Sequence, residues 1–242
     1  MSGDASILPL AFERVRFAAG ARVLLHDLDF RCTAGGLSVL LGPNGAGKSL
    51  VLRLASGLLA PSSGVVRWLG ARDASHAAGA HAIVLQRPVL LRRSVAANVA
   101  YPLALRGIPR AEREARVARA LEATRLRAHA QRPARTLSVG EQQRVAVACA
   151  WAREPEVLLL DEPAAALDPS ATRELERAIC AMRDEGRKVL MSTHDLAQAK
   201  SLASEVLFVH GGRLLEQTPA PEFFAQPRSE EARRFLGGEL LA

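Results

Sequence analysis

Apolar residues along the chain fall into short unbroken runs separated by stretches where they recur every three or four positions. That alternation predicts an α/β domain with a mainly parallel sheet. Leu37 to Leu41 is stopped by Gly42 and Pro43, Val157 to Leu160 stops at Asp161, and Val189 to Met191 ends in Ser192 and Thr193. Each reads as a buried strand delivering a polar residue at its C-terminal end, where open α/β sheets place their ligands. Phe12, Val15 and Phe17, then Val23 to Leu25, lie in short segments punctuated by Ala-Gly, as in an antiparallel hairpin. Val206 to Val209, Gly211-Gly212 and Leu214 to Leu215 predict a second hairpin with a glycine turn. In the middle, Arg110 to Arg125 reads as an amphipathic surface helix with Val117, Ala118 and Leu121 on one face, and Pro133 breaks the pattern beyond it.

Composition narrows the class. A chain of 242 residues, 49% hydrophobic and 24% charged, can bury a sizeable core and is too apolar for a disordered tail. Cys32, Cys149 and Cys180 form no C-x-x-C pair, so neither a disulfide framework nor a thiolate zinc site is indicated, which favours a reducing, cytosolic setting. Met1 to Leu10 contains Asp4 and lacks a basic start. No run of about 18 uncharged apolar residues occurs, so neither an export signal nor a membrane span is expected. The net charge is +7 and uneven: 14 Arg and 5 Glu between Arg87 and Pro155 give +9, leaving −2 elsewhere. Aromatics interleaved with the basic residues, as single-strand nucleic-acid binders use, are missing, so charge alone selects no partner.

The chemistry starts at Gly42-Pro43-Asn44-Gly45-Ala46-Gly47-Lys48-Ser49, a full match to G-x-x-x-x-G-K-[ST] between a predicted strand and a helix starting near Lys48. Glycines let backbone N–H groups wrap phosphate oxygens, and the helix N-terminus adds positive potential. Gly42 to Leu50 are therefore candidate nucleotide-binding residues, with Lys48 reaching the β- and γ-phosphates and Ser49 holding Mg²⁺. Asp161 and Glu162 end a strand expected beside that loop. Asp161 suits a magnesium ligand, usually through water, and Glu162 a general base for an attacking water.

Leu137-Ser138-Val139-Gly140-Glu141-Gln142-Gln143-Arg144 resembles the L-S-G-G-[QE]-Q-Q-R signature of the ATP-binding cassette (ABC) ATPases, and it precedes Asp161-Glu162 as in that family. The resemblance extends along nearly the whole chain. Gln86 looks like the Q-loop glutamine, Asp168 in Ala166-Leu167-Asp168 like the D-loop, and His194 in Ser192-Thr193-His194-Asp195 like the switch histidine. Phe17 falls where family members stack an aromatic on adenine. The family implies an ABC-type P-loop NTPase core with a mainly parallel sheet, a small antiparallel β subdomain and an inserted helical subdomain. Here that means residues 1–86 and 153–242 for the core and 87–152 for the insertion. It implies ATP and Mg²⁺ as cofactors, with Lys48, Gln86, Glu162 and His194 catalytic and Ser49, Gln86 and Asp161 at the metal. Ser138, Gly140, Glu141 and Asp168 complete its nucleotide contacts, Ser138 and Gly140 serving the site of a second copy. Ser138 to Glu141 is also an S-x-x-E capping box. Val139 departs from the pattern, standing where the family usually has a glycine. A β-branched residue adopts φ > 0 poorly, so either the position uses ordinary dihedrals or the loop is shifted. Gly140 is the glycine that the resemblance brings closest to the phosphate.

The resemblance further implies two ATP molecules sandwiched between two copies, transmembrane permease subunits as partners, and a peripheral place at the cytoplasmic face of the inner membrane. An extracytoplasmic solute-binding protein would act indirectly. Arg87-Pro88-Val89-Leu90-Leu91-Arg92-Arg93 combines apolar and basic residues, as a groove for a coupling helix would. The segment from Gln86 to Tyr101, with Glu222-Phe223-Phe224 and Ala232 to Glu239, resembles oxyanion importers, especially the tungstate type. Import of a small solute, with an oxyanion such as tungstate first, is the expected function. Another ABC importer, an exporter, or a non-transport ABC ATPase in cofactor assembly or linked to nucleic acid stays open. Nucleic acid is not the expected partner, because long coiled coils are missing and one set of motifs is present.

Overall fold

The computed structural model describes residues 6–239; residues 1–5, on which part of the export-signal reading rests, and 240–242 lie outside the described residues. Two long strands, β1 (Leu10–Ala19) and β2 (Arg22–Cys32), lead to β3 (Leu37–Leu41), α1 (Lys48–Ala55), β4 (Ser63–Trp68), α2 (Ala74–Ala80) and β5 (His81–Val84). Three helices follow: α3 (Val95–Leu105), α4 (Arg110–Ala123) and α5 (Val139–Ala152). The chain returns through β6 (Val157–Asp161), α6 (Pro169–Asp184), β7 (Lys188–Thr193), α7 (Leu196–Leu202), β8 (Glu205–His210), β9 (Arg213–Pro219), α8 (Ala220–Ala225) and α9 (Glu230–Leu236).

One sheet has the order β5-β6-β7-β3-β8-β9, parallel except for the β8–β9 hairpin; a smaller antiparallel sheet has the order β2-β1-β4. Side chains alternate across the parallel strands, so both faces must be covered. Leu37, Val39, Leu41, Leu158, Leu160, Val189 and Met191 face a core shared with α3 to α9. Leu40, Leu159, Leu190 and Leu207 face the other way, onto α1 and the antiparallel sheet. Burying each such side chain contributes about 1.5–3 kcal/mol, and this two-sided packing fixes the strand ends that carry the polar residues. No helix among the described residues is long and apolar enough to cross a membrane.

Two expectations need correction. In α4 the buried face is Val117, Ala120 and Leu121, whereas Ala118 is exposed. Alanines on both sides of Val117 leave the stripe ambiguous, and packing against α3 and α5 selects Ala120. The Asp161 strand does not lie beside the phosphate-loop strand either: β7 stands between β6 and β3.

Candidate nucleotide-binding and catalytic site

β3 ends at Leu41, and the loop from Gly42 to Gly47 carries the chain into α1. Gly47 has φ 103°, and a Cβ there would lie 2.5 Å from Leu25 Cδ2, so the position needs glycine both for its dihedral and for the approach of β2. The loop is tied to the β8–β9 turn. Gly212 N donates to Ala46 O at 3.1 Å, and His26 N donates to Gly212 O at 2.8 Å. The first turn of α1 carries no acidic residue, which leaves its positive end available to an anion. Asn44 and Gly45 sit exposed at the tip, while Leu50 is half-buried against the core.

The strand ends converge on Asp161. Ser49 Oγ donates to Asp161 Oδ1 at 2.7 Å, and Ser192 Oγ donates to the same oxygen at 2.8 Å. Glu162 N donates to Ser192 Oγ at 2.9 Å. Ser192 comes from the intervening strand β7, so it bridges the gap that the strand order opens, and α1 packs across β6 and β7 to bring Ser49 over. A hydroxyl and a carboxylate already held within hydrogen-bond distance form an all-oxygen donor set. That fits Mg²⁺, which takes one or two protein oxygens and completes its shell with water and phosphate.

Lys48, 4% exposed, donates to Gly42 O at 2.8 Å and Pro43 O at 3.0 Å, and lies 3.2 Å from Glu162 Oε1. Burial pushes its ammonium below the usual lysine range, and the Glu162 carboxylate opposes that shift. The other Glu162 oxygen is 3.1 Å from His194 Nδ1. Glu162 has φ 41°, a costly conformation for a non-glycine residue, held because its N–H is bonded to Ser192. In front of Glu162 and His194 lies an open cavity of about 460 Å³, bounded by Ala164, Leu167 and Thr193. Ser192 was legible only as a polar strand end; its bridging role depends on the strand order.

The signature residues are built otherwise. Ser138 Oγ accepts from Glu141 N at 3.3 Å while Glu141 Oε2 accepts from Ser138 N at 2.8 Å, closing the expected capping box. That Ser138 N–H holds the Glu141 carboxyl below its usual range, with His129 adding to the effect. Val139 is the first residue of α5, with no positive φ, and is 60% exposed, so its branched side chain meets no strain. Gly140 is buried instead, and a Cβ there would lie 2.7 Å from Ala171 Cβ. Its bare Cα serves contact between α5 and α6 of the same chain. Asp168 caps α6, accepting from Ser170 N at 2.8 Å and Ala171 N at 2.9 Å, and these N–H groups hold its carboxyl low.

None of Ser138, Gly140, Glu141 or Asp168 is bonded to Lys48, Asp161, Glu162 or His194 among the described residues. Gln86 is exposed just past β5, whose Val84 pairs with Leu160; the register puts it at the same sheet end as Asp161 without a bond to it. Phe17 is half-buried opposite Leu25, on the flank of the loop.

The ABC transporter family matches residues 25–165. The methionine import ATP-binding protein MetN of Xanthomonas euvesicatoria pv. vesicatoria (strain 85-10) is 36% identical over 224 residues, 88% of this chain and 67% of that protein. The Fe(3+) ions import ATP-binding protein FbpC of Pasteurella multocida (strain Pm70) is 35% identical over 233 residues, 94% of this chain and 66% of that protein. The chain thus spans about two thirds of the length of these curated relatives. The solved structure of cbiO1 from Clostridium perfringens, part of the ABC transporter complex cbiONQ, is similar at TM-score 0.81 and 29% identity, covering 96% of this chain and 95% of that chain. An ATP-bound bacterial Atm1-family ABC exporter gives TM-score 0.81 at 25% identity, with all of this chain covered and 44% of that chain. Family match, relatives and a phosphate loop facing a paired carboxylate agree: the chain belongs to the ABC transporter family, as an ATPase subunit that binds ATP with Mg²⁺ and hydrolyses it.

Proposed function

We propose that this chain drives a membrane importer of a small solute, working as an ATP-sandwich dimer beneath a separate permease. The observation that carries the reading is the cluster in which Lys48, Ser49, Asp161, Glu162, Ser192 and His194 meet at one end of the parallel sheet. Lys48 is assigned to the β- and γ-phosphates, exchanging the Gly42 and Pro43 carbonyls for a stronger anionic partner. Loop N–H groups and the start of α1 hold the remaining phosphate oxygens. Ser49 and Asp161 would hold Mg²⁺, which when bound neutralises charge on the phosphates. Once Lys48 moves to phosphate, Glu162 is released from its cation and its carboxylate can take a proton from water. The water oxygen bonds to the γ-phosphorus, the bond to the bridging oxygen breaks, and the proton goes to Glu162. His194, already against Glu162, orients it. In this reading Gln86 senses the metal, Phe17 flanks the adenine, and Asp168 lies at the dimer seam.

Ser138 stands at an exposed helix N-terminus with no target beyond its own capping box among the described residues, which supports a second copy as the owner of the phosphate it faces. Residues 87–152 are assigned as the helical unit that carries this signature and the permease dock. A groove of about 360 Å³ runs between Leu85, Pro88, Val89, Tyr101, Ala146 and Cys149, with Val89 87% exposed. Buried Asn98 braces its wall by accepting from Leu91 N at 2.8 Å and donating to the Leu91, Arg93 and Ser94 carbonyls. No Asp or Glu occurs from Ala74 to Ala111, and Arg93 lies over the Tyr101 ring at 5.2 Å. An apolar trough with a cationic rim suits an amphipathic permease helix, and such docking would hold the chain peripherally at the cytoplasmic face of the membrane.

The oxyanion reading rests on the sequence patterns from Gln86 to Tyr101 and at the C-terminal end. The two relatives above are named for methionine and Fe(3+), so tungstate is the first cargo to assay and these two are its competitors. The test is ATPase turnover of the chain with its permease in lipid nanodiscs, adding tungstate, molybdate, sulfate, phosphate, methionine or ferric iron with the matching solute-binding protein. Stimulation by one cargo is expected; no response to any would overturn the import reading.

A further inference from the structure

Helices α5 and α6 both begin at exposed caps, Ser138 and Asp168, and they touch at two successive levels. Gly140 meets Ala171 near the first turn. One turn further on, Arg144 Nη1 lies 2.8 Å from Glu174 Oε2. Contacts that advance in the same sense along both helices mean that the helices run parallel, with the signature and Asp168 ends side by side.

Arg144 is 8% exposed and ties in a third element, since the same Nη1 donates to Thr124 O at the C-cap of α4 at 3.1 Å. Its Nε is buried and has no hydrogen-bond partner among the described residues. A buried donor left unpaired is costly, and native interiors rarely keep one. This junction of α4, α5 and α6 is therefore incompletely satisfied, and a shift between the helices can offer Nε an acceptor. The loop from Pro163 to Leu167 joins α6 to Glu162, with Ala165 N donating to Glu162 O at 3.2 Å. One end of the junction thus reaches the chain's own Glu162. The other reaches Ser138.

We propose that the Arg144–Glu174 pair is a positioning link between the two nucleotide sites of the dimer, carrying the state of Glu162 in one site to the signature end that completes the other. The link rests on the dimer reading above. Arg144 touches neither nucleotide nor metal in this scheme; it acts through the relative placement of α5 and α6.

The experiment compares the wild type with Arg144→Met, Arg144→Lys, Glu174→Gln and the double variant Arg144→Met/Glu174→Gln. Glu174 is a third exposed, so its variant is expected to fold even where Arg144→Met does not. The readouts are affinity of the single protomer for a fluorescent ATP analogue, turnover, and the shape of the rate against ATP concentration. Wild type should give a sigmoidal curve. Arg144→Met and Glu174→Gln should each bind the analogue as the wild type does, lose about tenfold in turnover, and give hyperbolic curves. The double variant should be no worse than either single, and Arg144→Lys should recover part of the cooperativity by keeping the charge. An unchanged curve shape, or losses that multiply in the double variant, would overturn the link while leaving the dimer reading intact. A wild-type chain with hyperbolic kinetics and no ATP-dependent dimer removes the dimer reading and the link together.

Discussion

The phosphate-loop end of the sheet and the signature end of α5 both present helix N-termini, yet they are built on opposite plans. At the sheet, Lys48, Ser49, Asp161, Glu162, Ser192 and His194 are bonded to one another, and the chain itself supplies the partner of every charge. At α5, Ser138 and Glu141 bond to each other's backbone, the second Glu141 oxygen lies 3.1 Å from His129 Nε2, Val139 faces solvent, and Gly140 is taken up by packing on α6. The first end is a preorganised half-site. The second has a well-formed donor end that meets no anion among the described residues beyond the Glu141 carboxylate of its own cap. A chain with one of each is what the proposed ATP-sandwich dimer requires.

Substitutions at the two ends should therefore fail in different ways. The largest effect is expected for Glu162→Gln. The amide can still accept from Lys48, so the variant should fold and bind ATP, but hydrolysis should fall at least about 100-fold with the loss of the base. Near-normal turnover would remove Glu162 from that role. Next, Gly140→Ala sets two Cβ atoms at 2.7 Å and must push α5 off α6. Turnover should drop about tenfold with nucleotide affinity unchanged, since small displacements of a positioning element are costly. Ala171→Gly in the same chain should restore it; failure of that rescue would mean that the contact is not what Gly140 provides.

Ser192→Ala tests the intervening strand. It removes one donor to Asp161 and one acceptor for the Glu162 N–H, and should cost about 1–2 kcal/mol in denaturant unfolding. An unchanged midpoint would make the bridge irrelevant to stability. The smallest effect concerns pH. The Glu141 carboxyl is held below its ordinary 4.5, so its contribution is present above that value and is lost as pH falls through the lowered folded one. Glu141→Gln should flatten the acid loss of thermal stability below pH 4.5 and change little at neutral pH. An acid slope equal to that of the wild type would show that the cap is not coupled to folding.

What was legible in the sequence followed from short range. The strands β3, β6 and β7 are unbroken apolar runs, and the phosphate loop is a contiguous motif whose glycines the fold uses at Gly47. Two elements carried no such signal. β4 is mostly exposed along Ser63–Trp68, and α2 is an alanine-rich helix of about two turns with only Ala77 buried. Long-range order was the other blind spot. Nothing local says that β7 separates β6 from β3, and so nothing local distinguishes Ser192, the bridge, from any other polar strand end. Val139 shows the reverse case: a departure from the family pattern that looked like backbone strain is absorbed, because the position lies in the first turn of a helix and points to solvent. Gly140 also packs against Ala171, a demand on glycine that only the α5–α6 contact reveals.

In the proposed dimer these unlike ends close on each other across two copies when ATP is bound. Small-angle X-ray scattering of Glu162→Gln with saturating Mg²⁺ and ATP tests it most directly. A dimer should appear with ATP and disappear with ADP. Lone protomers under both nucleotides, with the permease present as well as without it, would contradict it.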